Sequence, residues 1–170
     1  MRTGKDVLMK TMNKIVLPPL SGEETLYSSG IFGERLCPIE WFRDEGLSHS
    51  SESTLETIVS MYKLNPNAGR EVCFGEIFNF PSHLSVCFTQ HQIAYLCKKE
   101  TKPFCKERVI IRKNNNESSY FLLEGGVLLE IQPWDGHLRV YASKGYKNRK
   151  IEFDEPLYSC FFFPVDNILI

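Results

Sequence analysis

Past Gly69 the apolar residues of this chain recur at every second position, in short segments with few residues between them. Nine such segments follow one another: 71–80, 84–89, 92–97, 107–112, 119–124, 127–132, 137–142, 149–154 and 158–163. Each is rich in Val, Ile, Phe and Tyr and is bounded by turn residues, the pattern of half-buried strands. Links this short leave little room for parallel crossovers, so an antiparallel sheet is expected. The class expected is mainly β (α+β), an antiparallel β-sandwich or partly open barrel of about eight to nine short strands. Phe161-Phe162-Phe163 before Pro164 predicts a strand buried on both faces that ends at an edge or bulge.

The first 69 residues read differently. Leu8, Met12, Ile15 and Val16 fall at helical spacing and predict a helix over 6–16, closed by Pro18-Pro19. From 17 to 49 Gly, Pro and Ser interrupt every period, while Leu26, Tyr27, Ile31, Phe32, Trp41 and Phe42 supply anchors. That is the pattern of an irregular arm pinned to a larger body. Ser53 and Glu56 form a capping-box pair ahead of Leu55, Ile58, Val59 and Tyr62, which predicts a second N-terminal helix ending near Leu64. With 170 residues the expectation is a single domain, 1–170, in which a helical and irregular arm over 1–69 packs on a body over 70–170.

The hairpin over 127–142 allows a register to be written. If Asp135-Gly136 is a two-residue turn, Trp134 pairs with His137, Pro133 with Leu138, Gln132 with Arg139, Ile131 with Val140, Glu130 with Tyr141 and Leu129 with Ala142. One face then collects Val127, Leu129, Ile131, Pro133, Leu138, Val140 and Ala142, all apolar. The other collects Leu128, Glu130, Gln132, Trp134, His137, Arg139 and Tyr141, with Glu130 and Arg139 diagonal to each other. Slipping one strand by a residue would send Arg139 or His137 into the core, so the register is strongly specified.

Charge is balanced overall, at −1, but unevenly placed. Residues 21–60 hold eight acids against two bases. Residues 98–113 hold seven bases against two acids, and 139–150 hold five bases and no acid. The basic segments suit an anionic partner, or the chain's own acidic region docked on them. Serines among the acids of 44–53 would accept phosphate favourably at a helix N-terminus.

Chemistry-bearing constellations are sparse. His83, Cys87 and His91 lie four apart, with Cys97 and Cys105 beyond, but on a strand such ligands stand some ~13 Å apart, so no metal site is expected. No nucleophile-elbow, P-loop or dinucleotide-binding glycine pattern is present, and Gly125-Gly126 reads as a tight turn. Glu124 and Glu130 are too ordinary a carboxylate pair to define a glycosidase. No catalytic residue and no cofactor is assigned.

The six scattered cysteines predict free thiols in a reducing compartment, cytoplasmic or nuclear; the sequon at Asn116 would matter only in a secreted chain. No apolar run is long enough for a membrane span. What remains is a non-enzymatic interaction domain binding a protein or peptide through the aromatic and basic hairpin face. The residues assigned to it are Trp134, His137, Arg139 and Tyr141, continued by Lys144, Tyr146, Lys147, Arg149 and Lys150. The alternative is a nucleic-acid-binding module using the basic loops 98–113 and 139–150. A cysteine-dependent enzyme is the third reading.

Overall fold

A computed structural model of the chain describes residues 7–32, 39–44, 47, 51–67, 71–78, 87–102, 105, 108–110, 117–134, 137–151 and 159–165. These form one mixed sheet of seven strands. The strands are β1 (Leu8–Leu17), β2 (Thr57–Leu64), β3 (Cys87–Phe88), β4 (Ser119–Leu123), β5 (Val127–Trp134), β6 (His137–Ser143) and β7 (Cys160–Val165). Three helices accompany them: α1 (Ile39–Asp44), α2 (Phe74–Phe78) and α3 (Gln90–Thr101), with a 3₁₀ turn over Tyr146–Asn148. The order across the sheet is β1-β2-β7-β4-β5-β6, with β3 also paired to β4, and the sheet is not closed. The mainly β, α+β class expected from the sequence is therefore the class observed.

The sheet is not purely antiparallel. β4 runs parallel to β7 along Ser119–Tyr120 and parallel to β3 along Leu122–Leu123, while the other neighbours are antiparallel. Parallel pairing needs long connections. The chain supplies them as α3 with its following loop between β3 and β4, and as the β5–β6 hairpin with 144–159 between β4 and β7. The expectation failed because it considered only links between consecutive strands.

Both expected N-terminal helices are strands. In β1, Lys10 pairs with Tyr62 and Lys14 with Ser60, so four steps along β1 match two along β2. This bulge breaks the period of two and leaves a spacing that imitates a helix. β2 is covered on both faces: Val59 and Met61 join one apolar cluster, Tyr62 the other. A strand buried on two sides carries no alternation to read. Ser53 caps nothing helical; its neighbour Thr54 exchanges backbone hydrogen bonds with Leu20 at 2.9 and 3.0 Å.

Two expected strands are helices. Residues 92–97 lie within α3, where Ile93, Ala94, Leu96 and Cys97 form the buried stripe. Its start is fixed by the Gln92 side chain, whose Oε1 accepts the Thr89 N–H at 3.0 Å. Within 71–80 the chain forms the short α2, whose Glu76 carboxylate accepts the Cys73 N–H at 2.8 Å. Residues 108–110 are irregular, and Lys150 makes only an isolated bridge with Cys73. The remainder of the expected strands 84–89, 107–112 and 149–154 lies largely outside the described residues.

β7 is central, not an edge: Pro164 faces Val59 of β2. Its three phenylalanines alternate between the two cores. Phe162 stacks on Phe121 with centroids 4.7 Å apart, and Phe161 stacks on Tyr120 at 5.2 Å. On the Phe162 side the sheet is covered by α3 and by Leu26, Phe32, Phe42 and Leu47, the first three of them anchors expected of the arm. On the Phe161 side it is covered by Val72, α2, Tyr146 and Ile151.

Candidate functional site

The register written for the hairpin is the register observed, pair for pair from Trp134↔His137 to Leu129↔Ala142. The turn residues 135 and 136, and the side chains of Trp134 and His137, lie outside the described residues. On the apolar face Val127, Leu129, Ile131, Pro133, Leu138 and Val140 are buried, as expected.

The opposite face is divided. On β5 Leu128 and Glu130 are buried, because Val72, α2 and the 146–151 segment lie over them. On β6, across from them, Arg139 is half-buried and Tyr141, the cross-strand partner of Glu130, is 46% exposed. Arg139 donates to the Tyr141 hydroxyl at 3.4 Å. β6 is the last strand in the order, with Phe32 bridging to Leu138 near its start.

Glu130 is the hub of the buried half. Its Oε1 accepts from the Ser118 hydroxyl at 2.9 Å, the Gln132 amide at 2.9 Å and the Tyr120 hydroxyl at 3.2 Å. Its Oε2 accepts from Arg149 at 3.1 Å. Four donors from three segments hold one carboxylate, which is how a charge is kept inside a fold. Burial and the adjacent Glu130 charge push the Tyr120 hydroxyl well above the usual phenol range, so it is a donor and not a phenolate. The Arg149 guanidinium lies 5.2 Å from the centroid of the Phe74 ring.

Beside this network is a cavity of about 240 Å³ walled by Phe74, Tyr120, Glu130, Arg149, Lys150 and Ile151. Its lining carries two cations against one carboxylate. Lys150 stands at the rim and meets Glu71 at 3.0 Å.

The structure thus sorts the assigned binding residues. Tyr146 is buried against Phe78 and is part of the second core, not of an exposed surface. Arg149 and Lys150 are matched by Glu130 and Glu71. Lys144 and Lys147 are exposed and have no carboxylate partner among the described residues. The diagonal pairing of Glu130 with Arg139 gives way to Glu130 with Arg149. Ser118 and Phe74 had no signal in sequence as site residues, and Tyr120 offered only an aromatic near the basic segments, since their convergence depends on β4 and α2 meeting over β5.

Elsewhere, among the described residues, the acidic and basic regions meet in the ion pair of Glu24 with Lys98. His91 is buried, with its Nε2 at 3.0 Å from the Thr54 hydroxyl and 3.1 Å from that of Thr89. Its Nδ1 has no hydrogen-bond partner among the described residues. Burial lowers its pKa, opposed in part by Glu24. The five described cysteines are free, and burial raises the pKa of Cys87 and of Cys97, which disfavours either as a thiolate nucleophile. Among the described residues no three His, Cys, Asp or Glu side chains are grouped to hold a metal, and no helix is long and apolar enough to cross a membrane.

Comparison of the chain with protein-family models, with curated proteins and with solved structures finds no match.

Proposed function

We propose that this chain is a non-enzymatic binding module for an acidic segment of a protein partner, received on the exposed face of β6 and the segment that follows it. The observation that carries the reading is Tyr141, an aromatic side chain 46% exposed on the outermost strand and bonded to Arg139. Tyrosine and arginine dominate interface energetics because each buries a large area and keeps a hydrogen-bonding end. Lys144 and Lys147, both exposed in the segment that follows, supply the positive charge that selects carboxylates. A reducing compartment, cytoplasmic or nuclear, suits a chain whose described cysteines are free.

Two of the cations that would have served a nucleic-acid surface, Arg149 and Lys150, are held by carboxylates. That observation favours the peptide reading. Its test is fluorescence anisotropy with labelled Glu-rich and Asp-rich peptides and with a single-stranded RNA of matched charge. Tyr141→Ala and the double variant K144E/K147E should each weaken peptide binding about tenfold or more. RNA binding in place of peptide binding would replace the reading, and binding of neither would end it.

A further inference from the structure

We propose that the cavity beside Glu130 is a binding site for a small organic carboxylate, with the Arg149 guanidinium as its receptor. The site lies on the β5 side of the hairpin face, and its lining includes none of Arg139, Tyr141, Lys144 and Lys147 of the peptide surface.

The volume limits the occupant. About 240 Å³ lies under the roughly 300–1,000 Å³ of drug-sized pockets, so one small molecule or one side chain fits. Among the described residues the lining offers two cations, Arg149 beside Glu130 and Lys150 paired at the rim with Glu71, so an anion is drawn by the open donors of Arg149 and not by a surplus of charge. Glu130 itself is engaged at both oxygens by its four donors, so it positions Arg149 and is not an open acceptor for a cation.

Arg149 is oriented before any ligand arrives. One N–H meets Glu130, and the plane of the group lies near the Phe74 ring. A guanidinium has five N–H donors, so a two-toothed edge remains for a carboxylate. Its side chain is 43% exposed, which leaves it accessible. The Tyr120 hydroxyl is protonated and adds no negative charge. Phe74 and Ile151 form apolar wall, which suits a ligand with an apolar body behind the carboxylate. A dianionic phosphate would face the Glu130 carboxylate with twice the charge of a carboxylate ligand, so a monoanion is favoured.

The test is titration of the full chain with benzoate, benzamide, phenyl phosphate and a capped glutamate peptide, following the Arg149 side-chain Nε–H resonance by NMR. Benzoate should shift it saturably, with a dissociation constant below roughly 1 mM, and benzamide should not. Arg149→Ala should abolish the effect, read on the backbone amides of Lys150 and Ile151. Arg149→Lys, which keeps the cation beside Glu130, should weaken it about tenfold because the planar fork is lost. Tyr141→Ala should leave it unchanged, which separates this site from the hairpin surface. Saturation by the capped glutamate in place of benzoate would assign the site to a partner's acidic side chain, the same chemistry from another source. Tighter binding of phenyl phosphate, equal binding of benzamide, or retention of benzoate binding by Arg149→Ala would overturn the proposal.

Discussion

Glu100, at the end of α3, grips the backbone of Ile110: its Oε2 and Oε1 lie 2.8 and 3.0 Å from the same amide nitrogen. The Oε1 also accepts the Val109 N–H at 2.6 Å. An irregular segment is thereby fastened to a helix by a carboxylate that is only 2% exposed. Replacing Glu100 with Ala would leave the buried Ile110 N–H without its carboxylate, at about 1–3 kcal/mol where water cannot reach it. The expected result is a fall of that order in unfolding free energy, read by urea denaturation with an unchanged m-value.

The Glu130 network predicts a coupled response. Glu130→Gln keeps the shape but removes the charge opposite Arg149, and should cost about 1–3 kcal/mol. Arg149→Ala should cost less, since its side chain is partly solvated. In a double-mutant cycle the two losses should not add, and additivity would show that the pair contributes no mutual energy.

Acid should weaken the fold through His91. Its folded pKa lies below the ordinary 6.5, so the unfolded chain takes up a proton first as the pH falls. The contribution is present in full above about 6.5 and is lost progressively as the pH drops from there through the lowered folded value. His91→Gln should flatten the stability profile in that window relative to the parent chain. Identical slopes in the two proteins, measured by denaturation between pH 5 and 7 (a range set about the ordinary histidine value), would contradict this.

Gly22 adopts φ +85, and a Cβ placed there would stand 2.3 Å from the Ser51 carbonyl oxygen. Gly22 also accepts the Ser51 N–H at 3.0 Å, so the two chain segments cannot simply separate. Gly22→Ala combines a left-handed backbone with a collision, and a loss of about 2–4 kcal/mol is expected. Thermal unfolding reads it directly.

Thiol reactivity should divide by position. Cys97 is fully buried with its thiol pushed up, whereas Cys105 is half-buried. Alkylation of the native protein followed by mass spectrometry should leave Cys97 protected until unfolding.

The sequence was most informative where one strand face alone was buried. Leu129, Ile131, Leu138 and Val140 alternate with polar residues, and their register could be written residue by residue. It misled wherever tertiary cover removed the alternation. In β2, Val59 and Tyr62 face opposite cores, and the resulting run looks helical. In β1 the extra residues between Lys10 and Lys14 shift the phase. In α3, Ile93, Tyr95 and Cys97 mimic alternation although Ile93, Leu96 and Cys97 make the helical stripe. Half of the candidate site was legible for the same reason. Arg139 and Tyr141 declare themselves by local pairing, but Glu130 was placed on a surface because nothing nearby in sequence announces α2 or Arg149 above it.

The place of β7 between β2 and β4 governs the order in which the molecule can be assembled. Until residues 160–165 leave the ribosome, β1–β2 and β3–β4–β5–β6 have no strand to join them. Each half then exposes an unsatisfied inner edge, and the Phe161–Phe163 run closes both at once. Such a chain gains little from folding as it is made. Its rate-limiting step should be the late insertion of a single hydrophobic strand, across sequence separations of about a hundred residues on the β2 side.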